Sequence, residues 1–93
     1  MPKKVIDRKQ VSLGGTTGTV VDAKVVFKKA LEGQAVYLIL AQNHPSGNIH
    51  PSIQDIELTK KLVEAGKILS IRILDHLIIG EKSYYSFADE GRI

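Results

Sequence analysis

A chain of 93 residues with no cysteine and a net charge of +3, from 13 Lys and Arg against 10 Asp and Glu, has the size of one small domain, able to bury roughly 60–65% of the surface its unfolded form exposes. The absence of thiols excludes a disulfide framework and every thiolate metal site, which leaves His, Asp, Glu and Gln as metal-binding side chains. No apolar run approaches the length of about 20 residues that a membrane span needs, and no charged-then-apolar leader follows Met1, so a soluble, cytoplasmic protein without a membrane partner is expected.

In chain order, Val5 to Leu13 reads as a strand ended by Gly14-Gly15, and Val20-Val21 as a short extended piece. Asp22 is a good N-cap, and Ala23, Val26, Phe27, Ala30 and Leu31 then recur at helical spacing until Gly33 supplies a stop. The run Ala35 to Ala41 is apolar on both sides of the pleat, which predicts a central strand covered on both faces. Ser52 caps a second helix whose inward stripe runs through Leu58, Thr59, Leu62 and Ala65 before Gly66 interrupts it, and Ile68 to Ile71 reads as a further turn of the same helix. Ile73 to Ile79 reads as another buried strand, and Gly80-Glu81-Lys82 as a hairpin turn into Ser83 to Phe87. The order strand, helix, strand, helix, strand, strand predicts a single α/β domain with two or three layers.

The chemistry is concentrated between the first apolar strand and the second helix, in Asn43-His44-Pro45-Ser46-Gly47-Asn48-Ile49-His50-Pro51-Ser52 and then Asp55. His44 ends a strand and Asp55 lies in a helix's first turn, so both are rigidly held, and the Pro/Gly turn between them folds one onto the other. Zinc favours such nitrogen and oxygen ligands in a tetrahedral shell that keeps one position for water. Asp55 precedes Leu58 by three positions and therefore sits on the edge of the buried face. The same Ser52-Ile53-Gln54-Asp55 segment is also a helix start close to the capping-box pattern, an explanation that needs no metal.

Asn43-His44-Pro45-Ser46-Gly47, Pro51-Ser52, Asp55 and Leu74-Asp75-His76-Leu77-Ile78-Ile79, with Gly14 to Asp22 and the closing Tyr84 to Gly91, together resemble the RadC-like branch of the JAB/MPN domain family. The resemblance implies a mixed β-sheet flanked by helices, of the layered cytidine-deaminase-like kind. In active members it implies a zinc held by two His and one Asp, a Ser that helps to stabilise the oxyanion, and a Glu from an upstream strand as general acid/base. The best-known enzymes of the family are metallopeptidases that hydrolyse isopeptide bonds, and the RadC name belongs to DNA repair. On this resemblance His44 is a histidine ligand, Asp55 the carboxylate ligand and Ser52 the oxyanion-side hydroxyl.

Two parts of that pattern do not carry over. Where the family has His-x-His, the residue two before His44 is Gln42, whose amide oxygen is a neutral and much poorer ligand. The family's Glu is also not found: the acidic residues before His44 are Asp7, Asp22 and Glu32, each with a plainer role. The chain therefore reads as residues 1–93 of a single RadC-like domain lacking its first strands, with a degenerate site built from Gln42, His44, Ser52 and Asp55. Zinc is expected to be weakly held or absent, and loss of the general base is expected to cost about 10²–10⁴ in rate. A non-catalytic module that binds protein or nucleic acid, in DNA repair or on a mobile element, is the alternative. The missing strands imply an exposed sheet edge, hence a homodimer.

The remaining features carry less. Basic residues cluster slightly at Lys3, Lys4, Arg8 and Lys9, but the aromatic residues Phe27, Tyr37, Tyr84, Tyr85 and Phe87 do not interleave with them, which is weak support for a nucleic-acid partner. His50 is expected in an exposed, solvated loop. Asp75 and His76, as neighbours on a strand, point to opposite faces and do not form a dyad; structural hydrogen bonds are expected for both. Gly14-Gly15 with Gly18 lacks the ending of a phosphate loop.

Overall fold

A computed structural model describes residues 22–44 and 48–93; the expected strand over 5–13, its glycine turn and the extended pair at 20–21 lie outside the described residues. The first helix, α1 (Ala23–Glu32), begins where expected: Asp22 is extended (φ −91°, ψ 119°) and its carboxylate accepts the Lys24 N–H, satisfying one of the donors a helix start leaves free. It ends at Gly33, but the left-handed residue is Gln34 (φ 53°). The Ala35 N–H returns to the Ala30 carbonyl and the Gln34 N–H to that of Leu31, a Schellman arrangement with Gln where Gly is usual.

The second helix, α2 (Ile53–Leu69), runs straight through Gly66: the glycine breaks the apolar stripe but not the helix, whose expected further turn ends at Leu69 and not at Ile71. A Cβ at residue 66 would collide with the Ile71 carbonyl oxygen, and the Ile71 N–H donates to the Gly66 carbonyl at 2.8 Å. The glycine is there because the chain doubles back over it, and helical packing offsets its propensity cost of about 1 kcal/mol. The turn is made by Ser70, again a non-glycine residue in the left-handed region (φ 58°).

Three strands form a mixed sheet in the order β1-β2-β3: β1 (Tyr37–Asn43), β2 (Arg72–Ile79) and β3 (Tyr84–Ser86). β1 and β2 are parallel and connected through α2; β2 and β3 are antiparallel, joined by the turn at 80–83. The register pairs Leu38 with Ile73 but Ile39 with Asp75, so Leu74 is skipped. This bulge breaks the two-residue alternation and lets both Ile73 and His76 be buried.

The family's α/β architecture is present, with the core between the helices and the inward face of the sheet. Val26, Phe27 and Ala30 of α1 meet Leu62 of α2 and Ile71 and Ile73, with Leu38, Leu40 and Leu58 packed against them. Among the described residues β1 is not the central strand. It lies at the edge, alternates exposed and half-buried residues, and leaves Tyr37 and Ile39 on an open outer face. An apolar residue on both sides of a pleat reads as buried on both sides, and these two residues are apolar without being covered. No described helix is long and apolar enough to cross a membrane.

Candidate functional site

The sheet and α2 bring three of the singled-out side chains to one point. Gln42 comes from the inward face near the end of β1, His44 from just beyond it, and Asp55 from the first turn of α2. The His44 N–H hydrogen-bonds the Ile79 carbonyl at 3.0 Å, which extends the parallel pairing by one residue and holds the imidazole at the strand's exit. His44 Nε2 and Asp55 Oδ2 are 3.9 Å apart, with side chains 25% and 16% exposed, so the pair is at the rim and reachable from solvent.

The protonation pattern of His44 follows from its other nitrogen. Nδ1 is 2.8 Å from the Asn48 carbonyl oxygen; a carbonyl only accepts, so Nδ1 carries the proton and Nε2 of the neutral ring presents a lone pair to the site. A backbone carbonyl behind a histidine is the arrangement that prepares the ring to ligate a metal. Asn48 was not among the candidate residues. It acts through its main chain, which no side-chain pattern reports, while its side-chain oxygen accepts the His50 N–H at 3.1 Å and holds the turn. His50 is exposed.

Asp55 is held as a carboxylate. Burial raises its pKa, but the Ser52 N–H, the Ser52 side chain, the Gln42 amide and the nearby His44 together outweigh that and leave it below the usual value of 3.8. Ser52 N–H donates to Oδ2 at 2.9 Å and the Asp55 N–H donates to Ser52 Oγ at 3.0 Å, a reciprocal capping box. Ser52 itself is exposed. The local helix-start role of this segment and its place beside His44 therefore coexist, because Oδ1 remains free to face Gln42.

Gln42 meets the pair through nitrogen. Its Nε2 is 2.9 Å from His44 Nε2 and 3.4 Å from Asp55 Oδ1, while Oε1 is buried with no partner. A lone pair on His44 and a carboxylate on Asp55 both require a donor, so the amide presents its NH2 to them. Ligands of a tetrahedral zinc stand about 3.3 Å from one another, given metal–ligand bonds of about 2.0–2.2 Å, and the three groups are spaced near that. Their chemistry differs: one imidazole, one carboxylate, and an amide whose NH2 points to where the ion would lie. Among the described residues no group of three or more His, Cys, Asp or Glu could hold a metal. As arranged, this donor set does not fit a zinc ion.

Of the acidic residues weighed as a missing base, Asp22 caps α1 and Glu32 is exposed at its end; Asp7 lies outside the described residues. Asp75 and His76 point to opposite faces, as strand neighbours should. The Asp75 carboxylate accepts the His76 N–H at 2.7 Å, the Ser86 hydroxyl at 2.6 Å and the Ala88 N–H at 3.0 Å. His76 is 2% exposed, stacks on Phe87 with ring centroids 4.7 Å apart, and places Nδ1 2.7 Å from Thr59 Oγ1. The Thr59 hydroxyl donates to the Asp55 carbonyl at 2.8 Å, and therefore accepts from His76 Nδ1–H. This link between the buried histidine and the site helix was not anticipated, since a Thr in an apolar stripe looks like core.

With this geometry established, comparison with known proteins decides the family. The model of the RadC-like JAB domain matches residues 2–92. The chain belongs to the RadC-like JAB domain family. Relatives of this RadC-like chain include a UPF0758 protein of Flavobacterium johnsoniae, 57% identical over 88 residues (95% of this chain, 38% of the relative). UPF0758 proteins of Syntrophomonas wolfei (47% over 89 residues; 96% and 38%) and Porphyromonas gingivalis (46% over 89 residues; 95% and 39%) are also similar. The chain thus spans about two-fifths of the length of these curated relatives.

Proposed function

We propose that this RadC-like domain descends from zinc-dependent metallopeptidases and isopeptidases and keeps the rim of their centre in a degenerate form, with catalysis strongly impaired. Gln42, His44 and Asp55 are the remnant of the metal shell, and Ser52 is the remnant of the hydroxyl that would face a developing oxyanion. The observation that carries this reading is the convergence of Gln42, His44 and Asp55 on one point, with His44 Nδ1 held by the Asn48 carbonyl so that Nε2 faces the other two. A protein carrying an isopeptide bond is the substrate class the ancestry supplies. The DNA-repair setting rests on the family's name alone.

The experiment is metal analysis of purified protein beside Gln42→His and Gln42→His/His44→Ala. Little zinc in the parent, near-stoichiometric zinc in the first variant and its loss in the second are expected, because two imidazoles and a carboxylate make a proper shell. Failure of Gln42→His to gain zinc would remove Gln42 from the ancestral shell.

A second reading, a non-catalytic binding module, is favoured by the outer sheet face. Tyr37, Ile39, Ile79 and Tyr84 are 58%, 55%, 40% and 61% exposed there, and apolar residues grouped on one face mark interaction surfaces. A homodimer through the β1 edge is the form this takes at its simplest; a monomer by sedimentation at high concentration would count against it.

A further inference from the structure

We propose that the side-chain NH2 of Gln42 occupies the cation's position in this site, clamping the end of β1 to the first turn of α2 without any metal. The inference rests on the site being a remnant metal shell and adds what replaced the ion. Two acceptors converge here, His44 Nε2 and the Asp55 carboxylate, whose Oδ2 is 3.9 Å from the ring nitrogen and whose Oδ1 faces Gln42. In the neutral ring Nδ1–H is committed to the Asn48 carbonyl, so Nε2 accepts, and the carboxylate takes the Ser52 N–H on Oδ2, which leaves Oδ1 as its unmet acceptor. Without a positive group between them they would leave two partly buried lone pairs unpaired. A divalent cation answers that need, and so does an amide NH2, whose two hydrogens reach different acceptors at 2.9 and 3.4 Å.

The orientation of the amide has a visible cost. Oε1 is buried with no partner, an arrangement native proteins avoid. Turning the amide over would still leave a buried group unmatched and would add a third acceptor to the two already present. The orphaned oxygen is thus the consequence of keeping the NH2 inward. A metal would have to displace both amide hydrogen bonds and recruit a weak neutral ligand, so Gln42 competes with the ion as well as replacing it.

The test uses the whole chain labelled with nitrogen-15 and zinc alone as the probe. In the parent protein the His44 ring should be protonated at Nδ1 and not at Nε2, and the two Gln42 NH2 protons should be distinct and slow to exchange. Neither signal nor the melting temperature should change between chelator and equimolar zinc. Gln42→Glu keeps the shape but replaces the NH2 with a third acceptor. It should melt about 4–8 °C or more below the parent in chelator and recover with zinc, unless His44→Ala is also present. Stabilisation of the parent by equimolar zinc, a His44 proton on Nε2, or a Gln42→Glu protein as stable in chelator as the parent would each overturn the clamp. The ring and amide spectra need no variant to fold. A Gln42→His protein that gains no zinc sinks the ancestral shell and leaves those spectra as they are, so the two failures are distinguishable.

Discussion

His44 and His76 are 32 positions apart, yet Asp55 stands between them, and the two histidines show how placement alone assigns a residue to the rim or to the core. Both have Nδ1 engaged, one with the Asn48 carbonyl and one with the Thr59 hydroxyl. His44 stands at the rim with its second nitrogen facing polar groups. His76 is sealed beneath Phe87. Asp55 serves both: its carboxylate faces His44, and its carbonyl takes the hydroxyl that meets His76. The buried cluster is a foundation that holds the first turn of α2 in place, and the rim cluster is the part that touches solvent.

If that division is right, breaking the foundation should cost far more stability than breaking the rim. The largest effect is expected from Asp75→Ala, which leaves two backbone N–H groups and the Ser86 hydroxyl without their acceptor. At about 1–3 kcal/mol for each buried group left unpaired, the loss in urea unfolding should exceed about 3 kcal/mol; a loss as small as that of a surface substitution would mean the strand end is not anchored there. Thr59→Val comes next. It keeps the shape, removes the acceptor of His76 Nδ1–H, and should cost about 1–2 kcal/mol, with a shift in the Asp55 amide signal that a remote core change would not produce. His44→Ala, at the rim, should cost less than about 1 kcal/mol while abolishing zinc uptake in the Gln42→His background. A stability loss equal to that of Thr59→Val would erase the distinction between the two clusters.

Acid should resolve the two regions in sequence. Burial holds His76 below its ordinary value of 6.5, against the opposing pull of Asp55 and Asp75, so the folded state keeps it neutral. Its contribution is complete above about that pH and declines as the pH falls towards the folded value, because the unfolded chain takes the proton first. Asp55 is lowered from 3.8, so its contribution persists to more acid conditions and is lost as the pH falls through its folded value. Stability measured from pH 8 to 3 should fall in two stages, and His76→Phe should remove the earlier one only.

Much of this was legible in the chain. Asp22 and Ser52 announce helix starts through short polar side chains before apolar stripes, and both helices begin there. His44 and Asp55 announce a candidate site by type and spacing, Gln42 joins them only through the family resemblance, and the three do converge. The failures share a cause, which is that the deciding group was main chain or neighbour. Gln34 and Ser70 take left-handed conformations that a reader assigns to glycine, and Gly66 looks like a helix breaker because the crossing Ile71 carbonyl is invisible in the sequence. The Asn48 carbonyl and the orientation of the Gln42 amide are set by partners in the same way. β1 looked central because exposed apolar residues and buried ones are spelled alike.

The residue skipped at Leu74 has a consequence for how this domain can vary. The odd count between Ile73 and His76 works as a change of phase halfway along β2, letting the lower half serve the helical core and the upper half serve the histidine foundation. Deleting Leu74 would remove the bulge and leave Ile73 and His76 two steps apart, on one face by ordinary alternation, whereas a one-residue insertion or deletion elsewhere between Ile73 and Ile78 would turn one half of the strand's buried side chains out to water. Point substitutions in the strand trade packing for packing, whereas a change in its length anywhere but at the bulge would put the two halves out of phase, so the one residue this strand can lose is Leu74.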